Sequence, residues 1–149
     1  MWRSRLAAAA ALLLLSGAAL AEGGDRRVEI SVTAVPEAKA LVVGGRATVP
    51  DGAWIVFAAR RLAPPLRRIR GAARAAGGRY AGSLDISGWP AGTVAVDAHF
   101  QVLLPGDLRQ PPDVIARYGA NGERMTGPSV VEGGGGFRAA IASTSAELP

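Results

Sequence analysis

Thr93-Val94-Ala95-Val96-Asp97-Ala98-His99-Phe100-Gln101-Val102-Leu103 alternates: Val94, Val96, Ala98, Phe100 and Val102 fall on one side of an extended chain, and Thr93, Asp97, His99 and Gln101 on the other. Successive side chains of a strand point to opposite faces, so this period of two predicts a β-strand with one face in a core and the other in solvent. Upstream, Val28, Ile30, Val32 and Ala34 alternate with Glu29, Ser31 and Thr33 in the same way. Trp54-Ile55-Val56-Phe57-Ala58-Ala59 is apolar on both sides and predicts a central strand. Between them stand Pro50-Asp51-Gly52, Pro64-Pro65, Gly77-Gly78, Pro90-Ala91-Gly92 and Pro105-Gly106, turn signals that begin 13 to 15 residues apart. That spacing suits strands joined by short turns. Trp54 and Trp89, each beside such a turn, are expected in the core.

The remaining segments extend the pattern. Arg67 to Ala75 and Arg79 to Leu84 flank Gly77-Gly78 and read as the two arms of a hairpin. Pro111-Pro112-Asp113-Val114-Ile115-Ala116-Arg117-Tyr118, stopped by Gly119, predicts one short helix near residues 112–118, pinned by Val114, Ile115 and Tyr118. Ser129 to Val131 and Phe137 to Ser143 read as two last strands, with Gly133 to Gly136 a tether between them. The prediction is an all-β fold, a single antiparallel β-sandwich of about seven strands, immunoglobulin-like or transthyretin-like, over residues 28–143. Loose ends are expected at 22–27 and 144–149.

The first residues carry a different signal. Met1-Trp2-Arg3-Ser4-Arg5 is basic, Leu6 to Leu15 is an unbroken apolar run, and Ala19-Leu20-Ala21 is a small-x-small cleavage site. This order predicts a signal peptide, residues 1–21, cleaved after Ala21, and a periplasmic or secreted protein. Leu6 to Ala21 is shorter than the roughly 20 residues a membrane-spanning helix needs, so no transmembrane segment is expected after cleavage. Removing 21 of the 149 residues leaves 128, one domain, and takes the net formal charge from +5 to +3.

Composition limits the chemistry. The chain has 0 Cys and 1 His, and its basic residues are 16 Arg and 1 Lys, so thiol catalysis, disulfides, Cys-ligated zinc and lysine Schiff bases are poorly supported or excluded. No cofactor and no metal site is expected. Asp97 and His99 share a strand face, as a base and its orienting carboxylate do, but no third member or nucleophile motif accompanies them. They read as a solvated polar face, with a dyad or a metal site at His99 as the alternatives, and no catalytic residue is assigned. Gly134-Gly135-Gly136-Phe137-Arg138-Ala139 fits a dinucleotide fingerprint in letters only, since no βαβ unit precedes it.

The string Gly45-Arg46-Ala47-Thr48-Val49-Pro50-Asp51-Gly52-Ala53-Trp54, then Gly78-Arg79-Tyr80, Trp89-Pro90-Ala91-Gly92, Gln110-Pro111-Pro112-Asp113-Val114, Tyr118-Gly119, Gly122-Glu123 and Gly127-Pro128, resembles a group of bacterial exported single-domain β-sandwich proteins. The resemblance spans roughly residues 40–131, with Val49 and Trp89 each standing where that group has Leu. It implies a β-sandwich of the cell envelope and assigns no catalytic residue.

One feature stands apart from the fold. Arg60, Arg61, Arg67, Arg68, Arg70, Arg74 and Arg79 lie between Asp51 and Asp85 with no acidic residue among them. In a hairpin, Arg68, Arg70 and Arg74 share strand parity and Arg79 stands on the partner strand, so Arg67, Arg68, Arg70, Arg74 and Arg79 form a candidate anion-binding surface. The competing use of such charge is to keep an exposed edge from pairing with another chain. Nucleic acid is not an expected partner, because no aromatic residues interleave the run. The leading expectation is a non-catalytic exported module that binds an envelope protein. A binder of anionic envelope material (lipopolysaccharide, phospholipid or wall polymer) is the alternative, with a hydrolase behind it.

Overall fold

The computed structural model describes residues 26–149, so the predicted signal peptide and Glu22 to Asp25 lie outside the described residues. Eight strands, β1 (Thr33–Glu37), β2 (Ala40–Arg46), β3 (Trp54–Arg61), β4 (Arg68–Arg74), β5 (Arg79–Asp85), β6 (Gly92–Gln101), β7 (Val130–Glu132) and β8 (Arg138–Leu148), accompany one helix, α1 (Pro112–Tyr118). They form two antiparallel sheets, one ordered β1-β2-β5 and the other β4-β3-β6-β8-β7. The molecule is an all-β sandwich, as the alternation requires. The first, second and fifth strands make one layer and the other five strands make the second.

The inward face predicted for β6 is buried. Val94, Val96, Ala98 and Phe100 of β6 are fully buried between the layers, facing Leu41 and Val43 of β2 and Leu84 of β5. β3 is central, flanked by β4 and β6. Its Ile55, Phe57 and Ala59 are buried, while Trp54, Val56 and Ala58 face outward and remain half-exposed. Trp54 is therefore not a core residue as expected; Trp89 does pack against the core, partly buried. Helix α1 buries Val114 and Tyr118, and the Tyr118 ring meets Phe100 edge-on at 5.2 Å. Ile115 stays 38% exposed, so two of the three expected pins act.

The expected hairpin between β4 and β5 is corrected. Gly77 and Gly78, at φ 59° and 74°, do make the tight turn, and Ala76 and Arg79 exchange both backbone hydrogen bonds (2.9 and 3.1 Å). The pairing ends at that single bridge. β4 continues along β3, and β5 crosses to the other sheet, where seven residues pair with β2. What separates the two arms is Phe57. A Cβ on Gly71 of β4 would come within 2.7 Å of its ring and one on Gly82 of β5 within 2.5 Å, so the ring lies between two glycines of opposite sheets.

Both chain ends also depart from expectation. Residues 144–148 are the second half of β8, paired from Thr144↔Val96 to Leu148↔Gly92, because Ala146 and Leu148 carry the inward alternation and are buried. At the other end, the Thr126 amide donates to the Arg26 carbonyl (2.9 Å) and the Val28 amide to that of Thr126 (2.7 Å), so Arg26 and Arg27 are held rather than loose. Strand β2, with its Gly44-Gly45 pair, lies where the sequence pattern predicts no strand. Among the described residues, no helix is long and apolar enough to cross a membrane.

Candidate functional site

The outer face of the five-stranded sheet is hollow where its side chains are small. Ala58 of β3 lies across from Arg70 of β4 and Asp97 of β6; one row along, Val56 lies across from Ala72 and His99. Short residues in the middle and long ones at the sides leave a groove of about 480 Å³. Val56, Ala58 and Ala72 make its floor, Arg68 and Arg70 one rim, and His99 and Gln101 the other, while Pro105 and Leu108 reach it from the β6–α1 loop. The volume falls within the range of roughly 300–1,000 Å³ typical of ligand sites.

That loop is fastened by Gln110, the buried polar side chain of the core (4% exposed). The β3–β6 ladder stops at Val56↔His99, and the Gln110 amide fills the gap beyond it. Its Oε1 accepts from the Trp54 amide at 2.8 Å, and its Nε2 donates to the Trp54 and Gln101 carbonyls, each at 2.9 Å. One side chain thus completes backbone pairing for two strands. No periodicity marks Gln110 in the sequence; its place just before Pro111-Pro112 is the available signal.

Asp97 and His99 do share the outer face, as their parity requires. Asp97 is engaged by Ser143 of β8, whose Oγ donates to its Oδ1 at 2.7 Å. Burial holds the His99 imidazole below the usual histidine range, the nearby Arg68 guanidinium adds to that, and the Asp97 carboxylate opposes it. Burial thus favours the neutral imidazole, a hydrogen-bonding group rather than a charge. Among the described residues, no group of three or more His, Asp or Glu side chains is placed to hold a metal ion.

The arginine run does not form one surface. Arg68 and Arg70 line the groove. Arg74 shares their face, yet its guanidinium stacks over the half-exposed Trp54 ring, 4.6 Å from the centroid. Arg79, carried to the other sheet, lies directly across from Arg46, and these two with Arg74 line a second, shallower groove of about 620 Å³. Arg67, with Arg60, belongs to the β3–β4 tip. Arg61 is structural: its Nη1 donates to the carbonyls of Ala63 and Pro64 and its Nη2 to that of Ala91. Among the described residues, the ion pair within 4.0 Å is Arg27 with Glu29, at 2.9 Å, so the arginines of the run stay uncompensated by carboxylates.

No protein-family model, no curated protein and no solved structure matches this chain.

Proposed function

We propose that the protein is a non-catalytic, exported binding module of the cell envelope, and that it engages another protein through the groove on its five-stranded sheet. The observation that supports this reading is the composition of that groove: an apolar floor of Val56, Ala58 and Ala72 with the Arg68 and Arg70 guanidiniums at one rim. An apolar surface gains from excluding water, and guanidinium forks add directional recognition of a carboxylate. The partner's contact is thus an apolar segment carrying Asp or Glu. Placing a photoreactive residue at Val56 or Leu108 in the living host tests this, with Ser83 on the opposite sheet as control. The expected result is one protein adduct from the groove positions, absent from Ser83 and weakened in the Arg68→Ser/Arg70→Ser variant. Equal adducts from both faces, or an adduct indifferent to the two arginines, reject the reading.

A second reading, binding of an anionic wall polymer or lipopolysaccharide headgroup, is favoured by one observation: Arg46, Arg74 and Arg79 line a single groove with no acidic residue in its lining. Inorganic polyphosphate serves as the probe. Retention that falls with salt and with Arg46→Ser/Arg79→Ser supports this reading, and retention unchanged by either rejects it.

A further inference from the structure

The loop that joins β3 to β4 reads Arg60-Arg61-Leu62-Ala63-Pro64-Pro65-Leu66-Arg67-Arg68: two arginines, an apolar tip, two arginines. Its two leucines are out in solvent, Leu62 at 56% and Leu66 at 75% exposure, and the residues between them are exposed as well. A lone exposed leucine is ordinary, but two at the tip of one hairpin, with four cations at its base, are an amphipathic device. The base is well ordered. Arg60 pairs with Arg68, the Arg61 amide donates to the Arg67 carbonyl at 2.9 Å, and the Arg61 guanidinium holds the carbonyls of Ala63, Pro64 and Ala91. The tip is therefore presented in a fixed shape, with Arg60, Arg67 and Arg68 exposed around it. Two acids stand nearby, each with a partner of its own: Asp97 of β6, across from Ala58, accepts from the Ser143 hydroxyl at 2.7 Å, and Glu147 of β8 accepts from the Thr93 hydroxyl, while the Thr93 carbonyl accepts from the Leu62 amide at 3.3 Å. Asp51 and Asp85 bound the run in sequence, outside the loop.

We propose that this hairpin tip docks on an anionic phospholipid surface, Leu62 and Leu66 entering the interface while Arg60, Arg67 and Arg68 meet the lipid phosphates. Charge complementarity selects this occupant. A loop whose apolar residues protrude beyond a ring of guanidiniums matches the layering of a bilayer, phosphates outside and acyl chains beneath, and long basic side chains span the two levels. The inference goes beyond the two binding grooves and shares Arg68 alone with the first of them.

The chain contains 0 Cys, so a single cysteine introduced as Leu62→Cys or Leu66→Cys takes one fluorescent label, with Ser83→Cys as the control on the far sheet. The full chain is mixed with vesicles of 30% phosphatidylglycerol in phosphatidylcholine, and the label's accessibility to an aqueous quencher is measured. Protection at 62 and 66 but not at 83 is expected, lost in pure phosphatidylcholine, lost at high salt, and reduced at least about tenfold in lipid concentration by Arg60→Ser/Arg67→Ser/Arg68→Ser, since each arginine near such a surface contributes about a fivefold factor. Tip labels that stay quenchable while the chain cosediments with the vesicles overturn the proposal, because binding then comes from elsewhere, the apolar run Leu6 to Leu15 included. Equal protection in pure phosphatidylcholine overturns the anionic part. Protection that grows with protein concentration in the absence of lipid makes a second copy of the chain the occupant, and this too overturns it.

Discussion

Gln110 shows how much one side chain carries in this fold. Its amide satisfies the Trp54 amide, the Trp54 carbonyl and the Gln101 carbonyl at once. Gln110→Ala leaves three backbone groups without that partner and is expected to cost about 2–4 kcal/mol, read as a lower urea midpoint at unchanged slope. Gln110→Glu keeps the acceptor but brings a carboxylate against two carbonyls, so it should be at least as damaging; a glutamate variant as stable as wild type would refute this account of the clasp. His99 supplies a pH dependence. Its folded-state pKa is depressed by burial first, so the unfolded chain binds the proton more readily. Stability from this group is full above the ordinary histidine value of about 6.5 and falls as pH drops below it. His99→Gln should remove that decline below about pH 6.5, and parallel stability profiles for the two proteins would show that His99 does not cause it.

At the scale of elements, the sequence was most readable where the period was cleanest. β6 and its buried face follow from Thr93 to Leu103, and α1 from its prolines and Gly119. The Gly77-Gly78 turn was also readable, and still the hairpin was not formed. Turn chemistry determines a local reversal, but which sheet the next strand joins is decided by what fills the interior, here the Phe57 ring between Gly71 and Gly82. For the same reason the five candidate arginines could be placed on strand faces but not gathered into one site. Residues 144–148 were missed because Thr144-Ser145 looks like a tail, while the weak alternation of Ala146 and Leu148 gains meaning only beside β6. A chain ending at Ser143 leaves Gly92 to Val96 without their β8 partners and uncovers Val94 and Val96 beside them. It is expected to lose about 4 kcal/mol, from one buried leucine, one buried alanine and the paired backbone, a large part of a domain's usual stability of about 5–15 kcal/mol, and so to melt well below the full chain. A truncated chain with well-dispersed amide resonances and the melting temperature of the full chain would contradict this.

For the whole molecule, charge acts against the fold rather than for it. The formal net charge is +5, and two cross-strand positions set arginine opposite arginine, Arg60 with Arg68 and Arg46 with Arg79. Like charges directly opposite on adjacent strands repel, and guanidiniums cannot shed their protons to escape. A sequence that retains this repulsion keeps a surface suited to negative partners, which links the binding readings to stability: anything that screens or neutralises these groups should also stabilise the sandwich. Raising sodium chloride from about 0.01 to 0.1 M shortens the screening length from about 30 to 10 Å, so the melting temperature should rise by a few degrees. Arg79→Glu replaces one repulsive pair by an attractive one across from Arg46, with an expected gain of about 0.5–1 kcal/mol and a visibly flatter salt dependence. Should the melting temperature ignore salt in the native protein, the arginines are neutralised by contacts within the chain, and the same result would remove the electrostatic ground for both anion-binding surfaces.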